Sequence, residues 1–206
     1  MFKWYTINAR KEDRASRVLK SLEVGKKEFV ASIGPVKAKI IANIVKKHKP
    51  KKILEIGTLY GYSAILMANL LDDYTEDSVG AVVTIEIDKT VAEIAKKNLE
   101  AAGLLSKVDI IVGDALEVIP KLSGKFDLLF IDATKEEYLS YLERAEKYLV
   151  TGAVVISDNV GIFEKQMLNY LEYVRNPGRY RSQTIQTKLE FTEGVGDAIE
   201  LSIRIV

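Results

Sequence analysis

The chain has 206 residues, of which 30 are Lys or Arg, 29 Asp or Glu, one His, none Cys and 48% apolar, leaving a formal charge of +1. This length holds one ordinary domain, able to bury roughly 70% of its unfolded surface. The absence of cysteine excludes disulfides, zinc-thiolate sites, iron-sulfur clusters and cysteine nucleophiles, and a His-based triad or multi-histidine metal site would depend on His48 alone. His48 lies in Lys46-Lys47-His48-Lys49-Pro50, which reads as a charged surface loop. No apolar run approaches the ~18 residues of a membrane span, and Met1 to Tyr5 does not lead into a secretory segment, so a cytoplasmic protein is expected.

The near-zero net charge hides an asymmetry. Residues 1–52 hold 15 basic and 4 acidic groups, whereas residues 53–206 hold 15 and 25. The basic end fits either an anionic partner such as RNA, or a solvated surface in which Lys46, Lys47 and Lys49 complement the negative end of a helix.

Residues 1–50 read as a helical cap, interrupted by Ile33-Gly34-Pro35 and ended by Pro50. From there short β-branched apolar runs alternate with helical patterns. The runs are 52–56, 81–87, 108–112, 126–131 and 153–157, nearly continuous in apolarity as buried parallel strands are. Helices are expected at 63–71, at 90–102 closed by Gly103, at 114–122, at 135–149 closed near Gly152, and at about 162–174. Such alternation predicts right-handed crossovers and an α/β sheet covered by helices on both faces, with the core over 51–206. After Asn176-Pro177-Gly178, residues 184–191 and 198–206 alternate around Glu193-Gly194-Val195-Gly196-Asp197 and read as a closing hairpin.

In an open α/β sheet ligands bind outside the carboxyl ends of the strands. The first strand ends in Glu55-Ile56-Gly57-Thr58-Leu59-Tyr60-Gly61-Tyr62-Ser63, where two glycines permit a tight turn and a close approach to a ligand, at a spacing that does not match a dinucleotide cradle. The second ends in Glu86-Ile87-Asp88, offering a carboxylate for ribose hydroxyls, with Asp88 better suited to capping the next helix. The third ends in Gly113-Asp114-Ala115-Leu116, where Asp114 either caps a helix or faces an adenine edge. The fourth and fifth end in Asp132-Ala133-Thr134-Lys135 and Ser157-Asp158-Asn159. If those strands are neighbours, Asp132, Asp158 and Asn159 supply three hard oxygen ligands suited to Mg²⁺. The acidic group Asp72, Asp73, Glu76 and Asp77 lacks the glycine and terminal glutamate of a calcium loop. Thr134 and Glu137 have capping-box spacing, which makes Lys135 the first helical residue, opposed to the helix dipole and suited to act as a general base.

Taken together, these motifs resemble the S-adenosylmethionine-dependent O-methyltransferases of the catechol and caffeoyl-coenzyme A type, from about Ile33-Gly34 to the last strand. The resemblance rests on Glu55 to Ser63, Phe130-Ile131-Asp132-Ala133-Thr134-Lys135 and Ser157-Asp158-Asn159-Val160 in this order and spacing. It implies a class I methyltransferase (Rossmann-like) sheet of seven strands, mostly parallel, with an antiparallel last strand. It implies S-adenosylmethionine bound by Gly57, Ser63 and Glu86, with Ile33 and Gly34 closing over it and Ala115 near the adenine. Glu55, Ile87, Asp114 and Asp132 belong to the same expected cofactor site. Asp132, Asp158 and Asn159 would hold a divalent metal, Lys135 would be the base, and Glu190 would hydrogen-bond a second acceptor hydroxyl.

Two departures stand out. Animal catechol enzymes carry His-Trp where this chain has Ala133-Thr134, and the N-terminal region is shorter, with only Phe29 as an aromatic wall before Ile33. The expected activity is methyl transfer to a small catechol-like or vicinal-diol acceptor. An RNA (tRNA) base-hydroxyl methyltransferase of the same fold and a non-catalytic adenosyl-cofactor binder are the alternatives. Related folds form monomers and dimers, and the sequence leaves a homodimer open.

Overall fold

A computed structural model describes residues 13–24, 33–71, 81–189, 192 and 194–206. The described strands are β1 (Ile53–Ile56), β2 (Val82–Glu86), β3 (Val108–Val112), β4 (Phe126–Ile131), β5 (Leu149–Ser157), β6 (Tyr180–Lys188) and β7 (Gly196–Arg204). They form one seven-stranded sheet in the order β3-β2-β1-β4-β5-β7-β6. The first five are mutually parallel and β7 runs antiparallel to both β5 and β6, so β7 alone is reversed. The seven-stranded α/β expectation, with a reversed last strand, is met.

The helices are α1 (Arg14–Val24), α2 (Pro35–His48), α3 (Tyr62–Leu70), α4 (Lys89–Ala102), α5 (Ala115–Val118), α6 (Tyr138–Ala145) and α7 (Leu168–Val174). The period-2 alternation of the strands sorts them into two layers. Ile53, Val82, Leu128 and Phe130 pack against α1 to α4, through residues such as Ile41, Ile65, Met67 and Leu99. Leu54, Ile85, Leu129 and Ile131 face the opposite layer, with Ile119, Tyr138, Leu142, Tyr170 and Leu171. Caps close the helices where the sequence signals them. Asp88 accepts from the N–H groups of Thr90 and Val91, and Gly103, in the left-handed region, donates to Glu100. No helix of the described residues is long and apolar enough to cross a membrane.

Four local expectations are corrected. His48 is the last residue of α2 rather than part of a loop, because the helix runs on to the left-handed Lys49 before Pro50 can stop it. Gly152 closes no helix. It lies at φ 82 inside β5, where the pairing slips between Phe126 and Leu128, so β5 begins at Leu149 rather than 153. The capping box does not form: Thr134 makes no side-chain cap, and Glu137 accepts instead from the Tyr141 hydroxyl one helical turn ahead. Residues 135–137 are consequently a short 3₁₀ turn that precedes α6. The hairpin strands also begin earlier than expected, which brings Asp197 into β7 rather than the turn.

Phe130 is fully buried in central β4, so Phe130→Ala is expected to destabilise the fold by about 3–5 kcal/mol. Urea unfolding monitored by circular dichroism checks this.

Candidate active site

Parallel strands end at a common edge, and here the ladder runs one residue past them. Gly57 N–H bonds to Ile85, Asp132 N–H to Ile56 and Asp158 N–H to Ile131. Gly57, Asp132 and Asp158 therefore stand side by side where the strand order changes direction between β1 and β4, the usual place for a ligand in this architecture. Gly57 has φ 95, and a Cβ there would lie 2.1 Å from the Asp132 carbonyl oxygen, so only glycine permits this approach.

A cavity of 490 Å³ opens at this edge. Of the residues expected to hold a cofactor, Ile33, Gly57, Ser63, Glu86, Ile87, Asp114, Ala115 and Asp132 line it. Gly34 stands behind Ile33 as the N-cap of α2, and Glu55 is fully buried outside the lining. The described lining holds four carboxylates, Glu86, Asp114, Asp132 and Glu137, and no Lys, Arg or His. Such a wall repels a pyrophosphate and suits a ligand carrying positive charge and hydroxyl donors. Glu86 accepts from Leu59 N–H at 2.8 Å and from Asp88 N–H at 3.1 Å, bonds that orient it and leave further lone pairs for a ligand. Asp114 both lines the cavity and caps α5 through Leu116 N–H at 2.8 Å, so its two readings are compatible.

Beneath this wall, neither oxygen of Glu55 has a partner in hydrogen-bonding geometry. Burial pushes its carboxyl up to about 7, against the pull of the Ser63 and Thr84 hydroxyls and with help from Asp132 and Glu86.

Next to the cavity, Lys135 Nζ donates to Asp132 Oδ1 and to the Tyr138 hydroxyl, both at 2.8 Å. The Tyr138 hydroxyl in turn donates to the Asp158 carbonyl at 3.2 Å. Burial pushes the Tyr138 phenol well up, so it stays protonated and keeps a lone pair for the ammonium. Asp158 is also buried. Desolvation and the nearby Asp132 raise its carboxyl and outweigh the opposing pull of Lys37. Its Oδ1 lies 2.7 Å from Lys37 Nζ, an ion-pair contact outside hydrogen-bonding geometry. Asn159 adopts φ 60, in the left-handed region that Asn tolerates best after Gly.

The described residues contain no group of three or more His, Cys, Asp or Glu side chains arranged as metal ligands. The expected set is instead two carboxylates and an amide. The repulsion between the Asp158 and Asp132 carboxylates, beside the amide of Asn159, makes the donor set of this corner suited to a hard cation.

Several participants escaped the sequence reading. Thr58 and Thr84 share a hydroxyl hydrogen bond at 2.5 Å, and Tyr141 lines the cavity. Lys37 is almost fully buried, with its ammonium between Asp158 and Asp197. A signal for Lys37 existed: it shares a helical face with Ile41, Ile44 and Val45, all buried. Asp197 gave no such signal, because it reads as one more polar residue in a turn. Glu190, Phe29 and the acidic group at 72, 73, 76 and 77 lie outside the described residues.

A family model described as O-methyltransferase matches residues 11–176. The chain belongs to the O-methyltransferase family. It is 38% identical over 133 residues to a catechol O-methyltransferase of Niastella koreensis, covering 63% of this chain and 58% of that one. Against the catechol O-methyltransferase of Bos taurus it is 32% identical over 182 residues, covering 84% and 64%. The chain thus spans less than two thirds of the length of both relatives. Among solved structures, an O-methyltransferase from Bacillus cereus in complex with SAH aligns at a TM-score of 0.79 and 26% identity, over 96% of this chain and 93% of that one. The resemblance read from the strand-end motifs is borne out at the level of family and fold.

Glu55 supplies a test of the electrostatics. The unfolded chain releases this proton near 4.5, whereas the folded protein keeps it to about 7. Between those values the folded state binds more protons, so this group costs stability as pH rises. The gap corresponds to roughly 3 kcal/mol at most. Glu55→Gln should leave stability nearly unchanged at the acid end and raise it by about 1–3 kcal/mol at pH 8. Urea unfolding at pH 5 and pH 8 measures this, and an equal effect at both would contradict it.

Proposed function

We propose that the chain is a metal-dependent O-methyltransferase that moves a methyl group from S-adenosylmethionine to a hydroxyl of a small catechol-like or vicinal-diol acceptor, working as one cytoplasmic domain. The observation that carries this reading is the acidic cavity at the β1–β4 switch point, whose described lining holds no Lys, Arg or His, next to the Lys135-Asp132 pair. S-adenosylmethionine carries a sulfonium, an ammonium and two ribose hydroxyls, which such a wall complements. A neighbour of the same fold is described as an O-methyltransferase in complex with SAM.

In this reading Glu86 takes the ribose hydroxyls, Ser63 and the first N–H groups of α3 take the methionine carboxylate, and Ile33, Ile87 and Ala115 enclose the adenosyl part. Asp132, Asp158 and Asn159 would hold the divalent ion, a hard cation such as Mg²⁺ that prefers oxygen ligands. When bound, the ion supplies acidification of an acceptor hydroxyl and fixes its direction.

The chain's own residues do the rest. Lys135, in its neutral amine form, takes the proton from the acceptor hydroxyl and becomes an ammonium, held by Asp132 and by the Tyr138 hydroxyl. The acceptor oxygen's electron pair then forms a bond to the methyl carbon as the carbon-sulfur bond breaks, its pair passing to sulfur to give S-adenosylhomocysteine. The rate gain comes from holding donor and acceptor in line and excluding water. Glu190 is assigned the second acceptor hydroxyl.

The test is transfer of labelled methyl from S-adenosylmethionine to a panel of dihydroxyphenyl acceptors, with Mg²⁺ and with EDTA. Turnover is expected with Mg²⁺ and its loss with EDTA, and Lys135→Ala should lower it roughly 100- to 10,000-fold. Absence of turnover in protein that binds S-adenosylmethionine would overturn the small-acceptor reading and direct the same assay to tRNA.

A further inference from the structure

Lys37 is the only buried lysine among the described residues. It lies in the first turn of α2, and its Nζ lies 2.9 Å from Asp158 Oδ2, 2.7 Å from Asp158 Oδ1 and 2.6 Å from Asp197 Oδ2. Asp197 reaches this point because β7 is reversed, so its beginning lies beside the end of β5. The same Asp197 Oδ2 accepts from Asn159 Nδ2 at 2.9 Å, and Asp197 Oδ1 accepts from Ile162 N–H at 3.0 Å. Burial opposes charge on both members of the pair. The two carboxylates nevertheless hold Lys37 above its ordinary range, and Lys37, Ile162 and Asn159 hold Asp197 below its own.

An amide has one donor end and one acceptor end. An Asn beside a carboxylate must turn its donor end to it, so Asp197 commits the Asn159 nitrogen and turns Asn159 Oδ1 the other way. The Lys37 ammonium lies within 2.9 Å of both Asp158 oxygens, donating to Oδ2 and ion-paired with Oδ1, so it fixes the plane of that carboxylate directly. Gly161 allows the loop that carries Asn159 to close on β7, since a Cβ there would lie 2.7 Å from Ala198 N.

We infer that Lys37 is a positioning residue for the divalent cation, orienting Asp158 directly and Asn159 through Asp197. The inference rests on the metal reading proposed above and adds to it a residue on α2, four positions beyond Ile33 in the cofactor cavity wall. Coulomb's law alone makes the opposite prediction: removing a buried cation beside a metal site should tighten metal binding. A support that orients the ligands should instead weaken it when lost, by about 10- to 100-fold.

The experiment is Mn²⁺ binding to the full chain without S-adenosylmethionine or acceptor, read from the electron paramagnetic resonance signal of free Mn²⁺. Lys37→Met is expected to weaken Mn²⁺ binding about 10- to 100-fold. The double variant Lys37→Met with Asp197→Asn preserves the net charge and relieves the unpaired carboxylate at 197. It should show the same loss and decides the matter if the single variant does not fold. A purely structural role would lower the melting temperature and leave the affinity of the folded protein unchanged. Wild-type binding with equal or tighter binding by the variants would overturn this inference alone. Failure of the wild type to bind Mn²⁺ would overturn the metal reading and the inference with it.

Discussion

Negative charge gathered at one edge of the sheet is the constraint to which the rest of the site responds. Parallel strands deliver their ends to the same place, so Glu86, Asp114, Asp132 and Asp158 come together, and the reversed β7 adds Asp197. In a partly desolvated corner these groups repel strongly. Three devices meet them: backbone N–H groups at Glu86 and Asp114, Lys135 at Asp132, and Lys37 between Asp158 and Asp197. Glu55 has no such partner in hydrogen-bonding geometry and responds by holding its proton to about 7.

Asp132 joins the two halves of this arrangement. It lines the acidic cavity and bonds to Lys135. Its backbone carbonyl meets Gly57, so the cavity floor and the base are fixed to the same short stretch of chain. In a transfer reaction the donor carbon and the acceptor oxygen must meet at van der Waals distance, and a residue common to both sides is a compact way to hold that register. The proposed methyl transfer uses this geometry, with the donor in the cavity and the acceptor beside Lys135.

Much of this was legible residue by residue. Buried parallel strands have continuous apolar runs, so β1 to β4 were located to within a residue or so, and the ends of those runs exposed Gly57, Glu86, Asp114 and Asp132 as candidates. The capping of α4 by Asp88 and its closure by Gly103 followed from local chemistry. The errors arose where a local signal had a tertiary competitor. The Tyr141 hydroxyl took Glu137 from the capping box, and Gly152 served an irregularity in strand pairing rather than a helix end.

The sequence by itself determined the order of strands and helices, the acidic residues at strand ends and the family resemblance, because each depends on neighbours within a few positions. Only the tertiary structure decided that Lys37, from α2, meets Asp158 and Asp197, more than a hundred positions away. The physical reason is that a buried charge is set by what closes around it in space. The 121- and 160-residue separations in these pairs are bridged by sheet order and strand direction, which no local pattern encodes.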